Sequence, residues 1–244
     1  MIRHFAEHGW VVADLIPPFA RARLGEWVDE VAVLPDASGV LHHREATDIG
    51  PQLCRSEHFL DLHAGMRDLL CTGAVLEIAS ALLGEPALLY KEKINYKLPG
   101  GAGYSAHQDA PAYPMIDTHV SAMIAVDDAD GDNGGLELVS GCFDAVLPTN
   151  ERGCIDPAIA ETLEWEPVAV PGGSMLWFHS RTPHRSGPNR STRPRRALYP
   201  TYNAAREGDR RAEYYAAKRT AFATTPPGDR ARVSLIGDFE GRPA

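Results

Sequence analysis

The stretch Ala87-Leu-Leu-Tyr-Lys-Glu-Lys-Ile-Asn-Tyr-Lys-Leu98, followed by Pro99-Gly-Gly-Ala-Gly103, is where the 244-residue chain changes character. It reads as a strand closed by a turn, because aromatic and branched residues run up to a Pro-Gly cluster. With side chains alternating along a strand, Lys91, Lys93, Asn95 and Lys97 share one face. Tyr90, Ile94, Tyr96 and Leu98 share the other, with Glu92 among them.

Working outward, the same pattern continues toward the C-terminus. Val120 to Val126 reads as a strand, Asp130-Gly-Asp-Asn-Gly-Gly135 as a tight turn and Leu136 to Val139 as a third strand. Asn150 to Glu166 reads as a long loop or short helix between strands. Val168-Ala-Val-Pro-Gly-Gly173 leads into a strand over Ser174 to His179, and Arg195 to Asn203 is another. Ala205 to Phe222 can form a polar helix. Toward the N-terminus the period lengthens. Leu24, Trp27, Val28 and Val31 have helical spacing, and an apolar run over Leu60 to Leu83 stops at Gly84. Between them, Pro35 to His58 is polar and reads as a loop able to cover a pocket mouth.

Short strands with turns, flanked by helices, predict a mainly β chain with a jelly-roll or double-stranded β-helix core. The expected plan is one domain over 1–244. Residues 1–86 give helical support and a possible lid, 87–203 the core, and 204–244 a C-terminal helix and tail. With 44% hydrophobic residues the chain can bury one sizeable core.

The net charge of -9 argues against a general nucleic-acid binder. No apolar run is long enough to span a membrane, and the N-terminus lacks the apolar stretch of a signal peptide, so the cytoplasm is the expected location. The four cysteines form no C-x-x-C pair, and Cys142 with Cys154 is the disulfide left open. Arginines cluster between Arg181 and Arg196, which suits a small anionic ligand better than a polymer.

His107-Gln-Asp109 carries the first chemical signal. In an extended segment, residues two apart point to the same side, so an imidazole and a carboxylate can meet one metal. A distant second histidine would complete a two-His, one-carboxylate triad, which leaves adjacent positions open for oxygen chemistry on iron(II). Alone, His-x-Asp is a weak motif. His184, just after the strand ending at His179, supplies the missing imidazole. Arg195 then opens the next strand, and Ser186 sits two residues past His184. A guanidinium binds a carboxylate through a two-pronged fork, and a hydroxyl is a natural extra donor.

These segments together resemble the phytanoyl-CoA dioxygenase family. They are Tyr90 to Gly100, His107-Gln-Asp109, Asn133-Gly-Gly-Leu-Glu-Leu138, Pro171 to His179, His184 to Ser191, and Arg195. The resemblance covers roughly 87–203 and includes ectoine-hydroxylase-like and phosphonate and natural-product hydroxylase branches. It implies Fe(II), 2-oxoglutarate and O2 as cofactors, with succinate and CO2 released as a C–H bond is oxidised. By position it implies His107, Asp109 and His184 as iron ligands, and Arg195 and Ser186 as the site of the 2-oxoglutarate carboxylate. It implies Asn95 as a further cosubstrate contact. Lys91 and Lys93 share the Asn95 face and could serve the cosubstrate or an anionic substrate. Gln108, Tyr113, Tyr104, Trp177 and Arg185 are the candidate substrate residues.

The chain departs from the family pattern at Ser140-Gly-Cys-Phe143, where many members have Pro-Gly-Ser-His. That can reshape the pocket rim. A carboxylate at Asp109 argues for hydroxylation or another oxidation over halogenation. The partner implied is a small, polar or anionic molecule; monomer or homodimer is open. Two alternatives stand beside this reading: a cupin-like metal-dependent isomerase or hydrolase, and a catalytically silent binding member.

Overall fold

A computed structural model describes residues 1–226 and 233–244. In chain order, the N-terminal part has α1 (Ile2–His8), β1 (Trp10–Ala13), α2 (Pro18–Ala32), β2 (Leu41–Thr47), β3 (Gly50–Glu57), α3 (Ala64–Cys71) and α4 (Gly73–Leu83). Then come β4 (Ala87–Lys91), β5 (Lys93–Lys97), β6 (Tyr104–His107), β7 (His119–Ala125), β8 (Leu136–Leu138), the one-turn α5 (Pro157–Ala160) and β9 (Glu166–Pro167). The chain continues through β10 (Met175–His179), β11 (His184–Ser186), β12 (Arg195–Leu198), β13 (Thr201–Ala204) and α6 (Arg211–Thr224).

Two antiparallel sheets face each other. The larger has the order β1-β10-β7-β12-β5-β3-β2, with β13 joining β7 to β4; the smaller is β6-β11-β8-β9. Side-chain alternation on the large sheet sorts its residues between two cores. Val120, Ala122 and Ile124 of β7, with Met175 and Trp177 of β10, pack with the helices. Met123, Ala125, Leu176 and Phe178 face the opposite way and meet Leu136 and Leu138 of the small sheet. The functional cavity opens between the sheets, beside this second core. The double-stranded β-helix expectation holds.

Local structure follows the expected patterns with four informative differences. The strand expected over Ala87 to Leu98 is two strands, because Glu92 turns inward to accept hydrogen bonds from the backbone N–H groups of Phe59 and Leu60 and from Arg211. The strand expected over Arg195 to Asn203 breaks at Tyr199-Pro200 into β12 and β13. The run over Leu60 to Leu83 is two helices, the second ending at Gly84 with φ 74, a backbone that glycine adopts without strain.

The fourth difference is the largest. Residues 35–58, read as a loop, form the β2–β3 hairpin, and β3 pairs with β5. Its polar sequence concealed this because the buried side chains are themselves polar: Arg55, Ser56 and Glu57 are each 1% exposed or less. The hairpin is part of the large sheet, so it does not lie across the pocket as a detached lid.

The C-terminal segment adds a strap. Asp238 and Gly103 carbonyls accept from the N–H groups of Ser105 and Glu240, and Arg242 accepts from Ala46. Residues 227–232 of the expected tail lie outside the described residues. All four cysteines are free thiols, so Cys142 and Cys154 are not bridged.

Candidate active site

β6 and β11 are neighbours in the small sheet, and His184 stands in register opposite His107. Both rings are oriented in the same way. His107 Nδ1 donates to Ser105 O at 2.7 Å, and His184 Nδ1 donates to Thr182 O at 3.0 Å. Each Nε2 is thereby left with its lone pair available. The strand ends at His107, so Asp109 is not in the extended run that the motif suggested. It takes helical backbone, φ -70 and ψ -30, ahead of the 3-10 turn begun by Ala110-Pro111. Its carboxylate still reaches the imidazoles. Ser121 of β7 donates to Asp109 Oδ2 at 2.7 Å and fixes the second oxygen toward the centre.

One ligand atom from each of His107, Asp109 and His184 lies within 4.8 Å of the others, and all three residues are buried. Burial alone would raise the Asp109 pKa, but His184, Lys91, Lys93 and His107 outweigh it and hold the carboxyl below its usual range. Burial, and then His107, pushes His184 down to about 4, which keeps the imidazole neutral. Two imidazoles with Nε2 turned to the centre and an ionised carboxylate are the donor set that a divalent iron requires. The residues present fit the metal.

Arg195 of β12 is 1% exposed and lies against Tyr199, which is on the cavity wall. One guanidinium nitrogen donates to Tyr199 Oη at 2.7 Å, and Nε has no partner among the described residues. Among the described residues no carboxylate pairs with it. A buried guanidinium left like this is costly unless an anion arrives, and a dicarboxylate cosubstrate would supply one. Arg196, next along β12, points the other way onto Asp127 and Asp29.

Lys91, Lys93, Asn95, Tyr104, Arg185 and Ser186 also line the cavity, so the structure brings these expected residues together. Neither lysine ammonium has a hydrogen-bond or ion-pair partner among the described residues. Lys91 lies over the Tyr113 ring and Lys93 over the Tyr199 ring. Burial pushes both below the usual lysine range, and for Lys93 the Lys91 charge adds to it. Asn95 accepts from Arg55 Nε at 3.0 Å, which leaves its amide N–H2 free.

Three expected substrate residues are placed otherwise. Trp177 is fully buried against Tyr202 on the helix side of β10, and its neighbour Phe178 faces the cavity instead. Strand alternation explains the exchange. Gln108 spends its amide on Ala145 O, Arg181 O and Leu147 N, so it holds the loop after Phe143 rather than the cavity wall. Tyr113 sits behind Lys91, packed on Tyr90 and Tyr214. Arg185 does line the cavity but is neutralised by Glu137 at 2.7 Å and stacked on Trp165.

Sequence reasoning missed Ser121, Phe178, Tyr199 and Asp238, all on the cavity wall. Asp238 is the least legible, since it arrives on the strap. Its Oδ2 lies 3.4 Å from His107 Nε2, and its Oδ1 has no partner among the described residues.

Comparison with known proteins agrees with this geometry. Residues 19–197 match the phytanoyl-CoA dioxygenase family. The chain belongs to that family. It is 50% identical over 225 residues to a methylphosphonate hydroxylase of Gimesia maris, covering 91% of this chain and 86% of the relative. It is 37% identical to a 2-aminoethylphosphonate dioxygenase of an uncultured bacterium, covering 81% and 78%. The crystal structure of EctD from S. alaskensis with 2-oxoglutarate and 5-hydroxyectoine superposes with a TM-score of 0.70 at 19% identity, over 84% of this chain and 76% of that one, and so shares the fold. The protein is an Fe(II)- and 2-oxoglutarate-dependent dioxygenase acting on a small molecule. No helix among the described residues is long and apolar enough to cross a membrane.

Proposed function

We propose that this dioxygenase hydroxylates a small organophosphonate, with methylphosphonate as the first candidate. The observation that carries the reading is the Lys91–Lys93 pair: a buried and a half-buried amine lining the cavity, with no partner anion among the described residues. A phosphonate carries up to two negative charges and three acceptor oxygens, which suits two adjacent lysines. The relatedness to the Gimesia maris methylphosphonate hydroxylase supports the same class. The cavity is small, about 30 Å3, which favours a compact molecule.

In this reading His107, Asp109 and His184 hold the iron, and Arg195 with Ser186 holds the far carboxylate of 2-oxoglutarate. The free amide of Asn95 is a further donor to the cosubstrate. Bound iron with 2-oxoglutarate and O2 supplies the oxidising power for C–H hydroxylation, releasing succinate and CO2. The chain's own residues do the rest. Lys91 and Lys93 anchor the phosphonate oxygens and so fix which carbon faces the metal. Phe178 and Leu136 line the wall with apolar surface that limits water near the reacting bond. Ser121 keeps one Asp109 oxygen turned to the centre.

Asp238 favours a second reading, 2-aminoethylphosphonate, because its unpartnered oxygen could accept from an ammonium. The reading further takes residues 1–244 as one catalytic domain working in the cytoplasm. The acidic net charge of -9 speaks against a nucleic-acid partner.

Succinate formation by the iron-loaded enzyme, measured with methylphosphonate, ethylphosphonate, 2-aminoethylphosphonate and phosphate-free carboxylate analogues, tests the proposal. Phosphonate-dependent turnover, with a new 31P resonance, is expected. Turnover with carboxylates alone would overturn it.

A further inference from the structure

Lys97 ends β5 and is 4% exposed. Its ammonium donates to Ser186 Oγ at 2.8 Å, Gly187 O at 2.6 Å and Gly134 O at 3.2 Å. All three acceptors are neutral, and among the described residues no carboxylate lies within ion-pair distance. Such a buried charge is no aid to stability by itself, since apolar packing of similar volume often does better. Moreover Lys97 stands directly opposite Arg195 in the β5–β12 register, which sets two buried cations side by side. Burial, and then Arg195, depresses the Lys97 pKa well below the lysine range.

The backbone is shaped to admit this lysine. Gly134 has φ +76, and a Cβ there would stand 2.8 Å from Lys97 Cδ and 2.9 Å from Nζ. Lys97 itself is not on the cavity wall, whereas Ser186 is. A hydroxyl has one hydrogen to give and two lone pairs to receive with. The Lys97 ammonium occupies a lone pair of Ser186 Oγ, which leaves the serine hydrogen to be donated away from the lysine.

We propose that Lys97 is a positioning residue for 2-oxoglutarate, acting through Ser186. It holds the serine oxygen as an acceptor, so that the hydroxyl donates to the far carboxylate of the cosubstrate. The inference rests on the reading of Arg195 and Ser186 given above, and it explains why two cations without acids are packed in adjacent strands.

Anaerobic titration of the Fe(II)-loaded protein with 2-oxoglutarate, followed by the visible charge-transfer absorbance, gives the dissociation constant without turnover. Lys97→Met is expected to weaken 2-oxoglutarate binding about tenfold, the size of a lost charge-assisted hydrogen bond. Its melting temperature should be unchanged or raised, and its iron affinity unchanged. Ser186→Ala should weaken binding similarly, and the double variant should bind no worse than Ser186→Ala, because the two residues act in series. Wild-type affinity in folded Lys97→Met, or losses that add in the double variant, would overturn the proposal. If Lys97→Met does not fold by circular dichroism, Lys97→Gln takes its place in the same cycle under the same two criteria. Arg195→Ala separates the failures. Tight binding there overturns the clamp reading together with this inference. Weak binding there, beside wild-type binding in the Lys97 variant, overturns the role of Lys97 alone.

Discussion

His107 and His184 face each other across the β6–β11 pair with ring centroids 4.1 Å apart, each Nδ1 tied to the carbonyl two residues before it. Backbone carbonyls thus fix both tautomers, and Ser121 does the same for Asp109. Hydrogen bonds of this kind typically govern metal affinity about 10–100-fold. Ser121→Ala should therefore weaken Fe(II) binding by that range with the fold intact, as measured by competition against a chromophoric chelator. His184→Ala should lose tight binding altogether.

Arg195 carries a buried charge with an unpartnered Nε. The cosubstrate should therefore stabilise the folded chain. At a hundredfold excess over its dissociation constant, 2-oxoglutarate should add about 2.7 kcal/mol to the zinc-loaded protein. The thermal shift should vanish in Arg195→Ala, and Arg195→Lys should not restore it, because an ammonium lacks the planar fork.

Lys91 and Lys93 are assigned to the substrate. Replacing either by Met should raise the KM for phosphonate about tenfold or more, as loss of a charge-assisted contact does, and leave 2-oxoglutarate affinity near wild type. Steady-state kinetics with each ligand varied in turn separate the two. A parallel loss of cosubstrate affinity would move these lysines to 2-oxoglutarate.

A second buried charge cluster supports the site from behind. Lys218 donates to both oxygens of Glu57 at 2.6 Å, and Arg55 lies 3.6 Å away. Arg55 in turn reaches Asn95 and the Tyr104 hydroxyl on the cavity wall. Glu57→Gln leaves two buried cations without their anion and should cost about 3–5 kcal/mol in chemical denaturation.

His119 makes the protein acid-sensitive. Neither ring nitrogen has a hydrogen-bond partner among the described residues, and burial pushes its pKa from 6.5 to about 4, with Asp109 opposing. The unfolded chain therefore takes up a proton first as pH falls. Stability should decline from about pH 6.5 down to about pH 4, by on the order of 3 kcal/mol from this residue. His119→Leu should flatten that part of the stability–pH curve measured by urea denaturation.

His107 and His184 were legible because strands hold spacing in space, whereas Asp109 reaches the same centre from the turn after β6. Trp177 was misplaced by a single step of alternation, since the apolar run from Met175 to Phe178 does not say which face is inside. The β2–β3 hairpin was hidden because Arg55, Ser56 and Glu57 are polar yet buried, and hydropathy reads them as loop. Asp238 could not be placed from sequence at all. Its position depends on a strap that crosses back to Ser105, a contact made across more than a hundred residues.

A crystal structure of the manganese-substituted enzyme, grown without oxygen and with 2-oxoglutarate and methylphosphonate, tests the account most directly. The metal should sit on His107, Asp109 and His184, the cosubstrate carboxylate on Arg195 and Ser186, and the phosphonate oxygens on Lys91 and Lys93. A phosphonate bound away from the lysines, or a metal held by other residues, would contradict it.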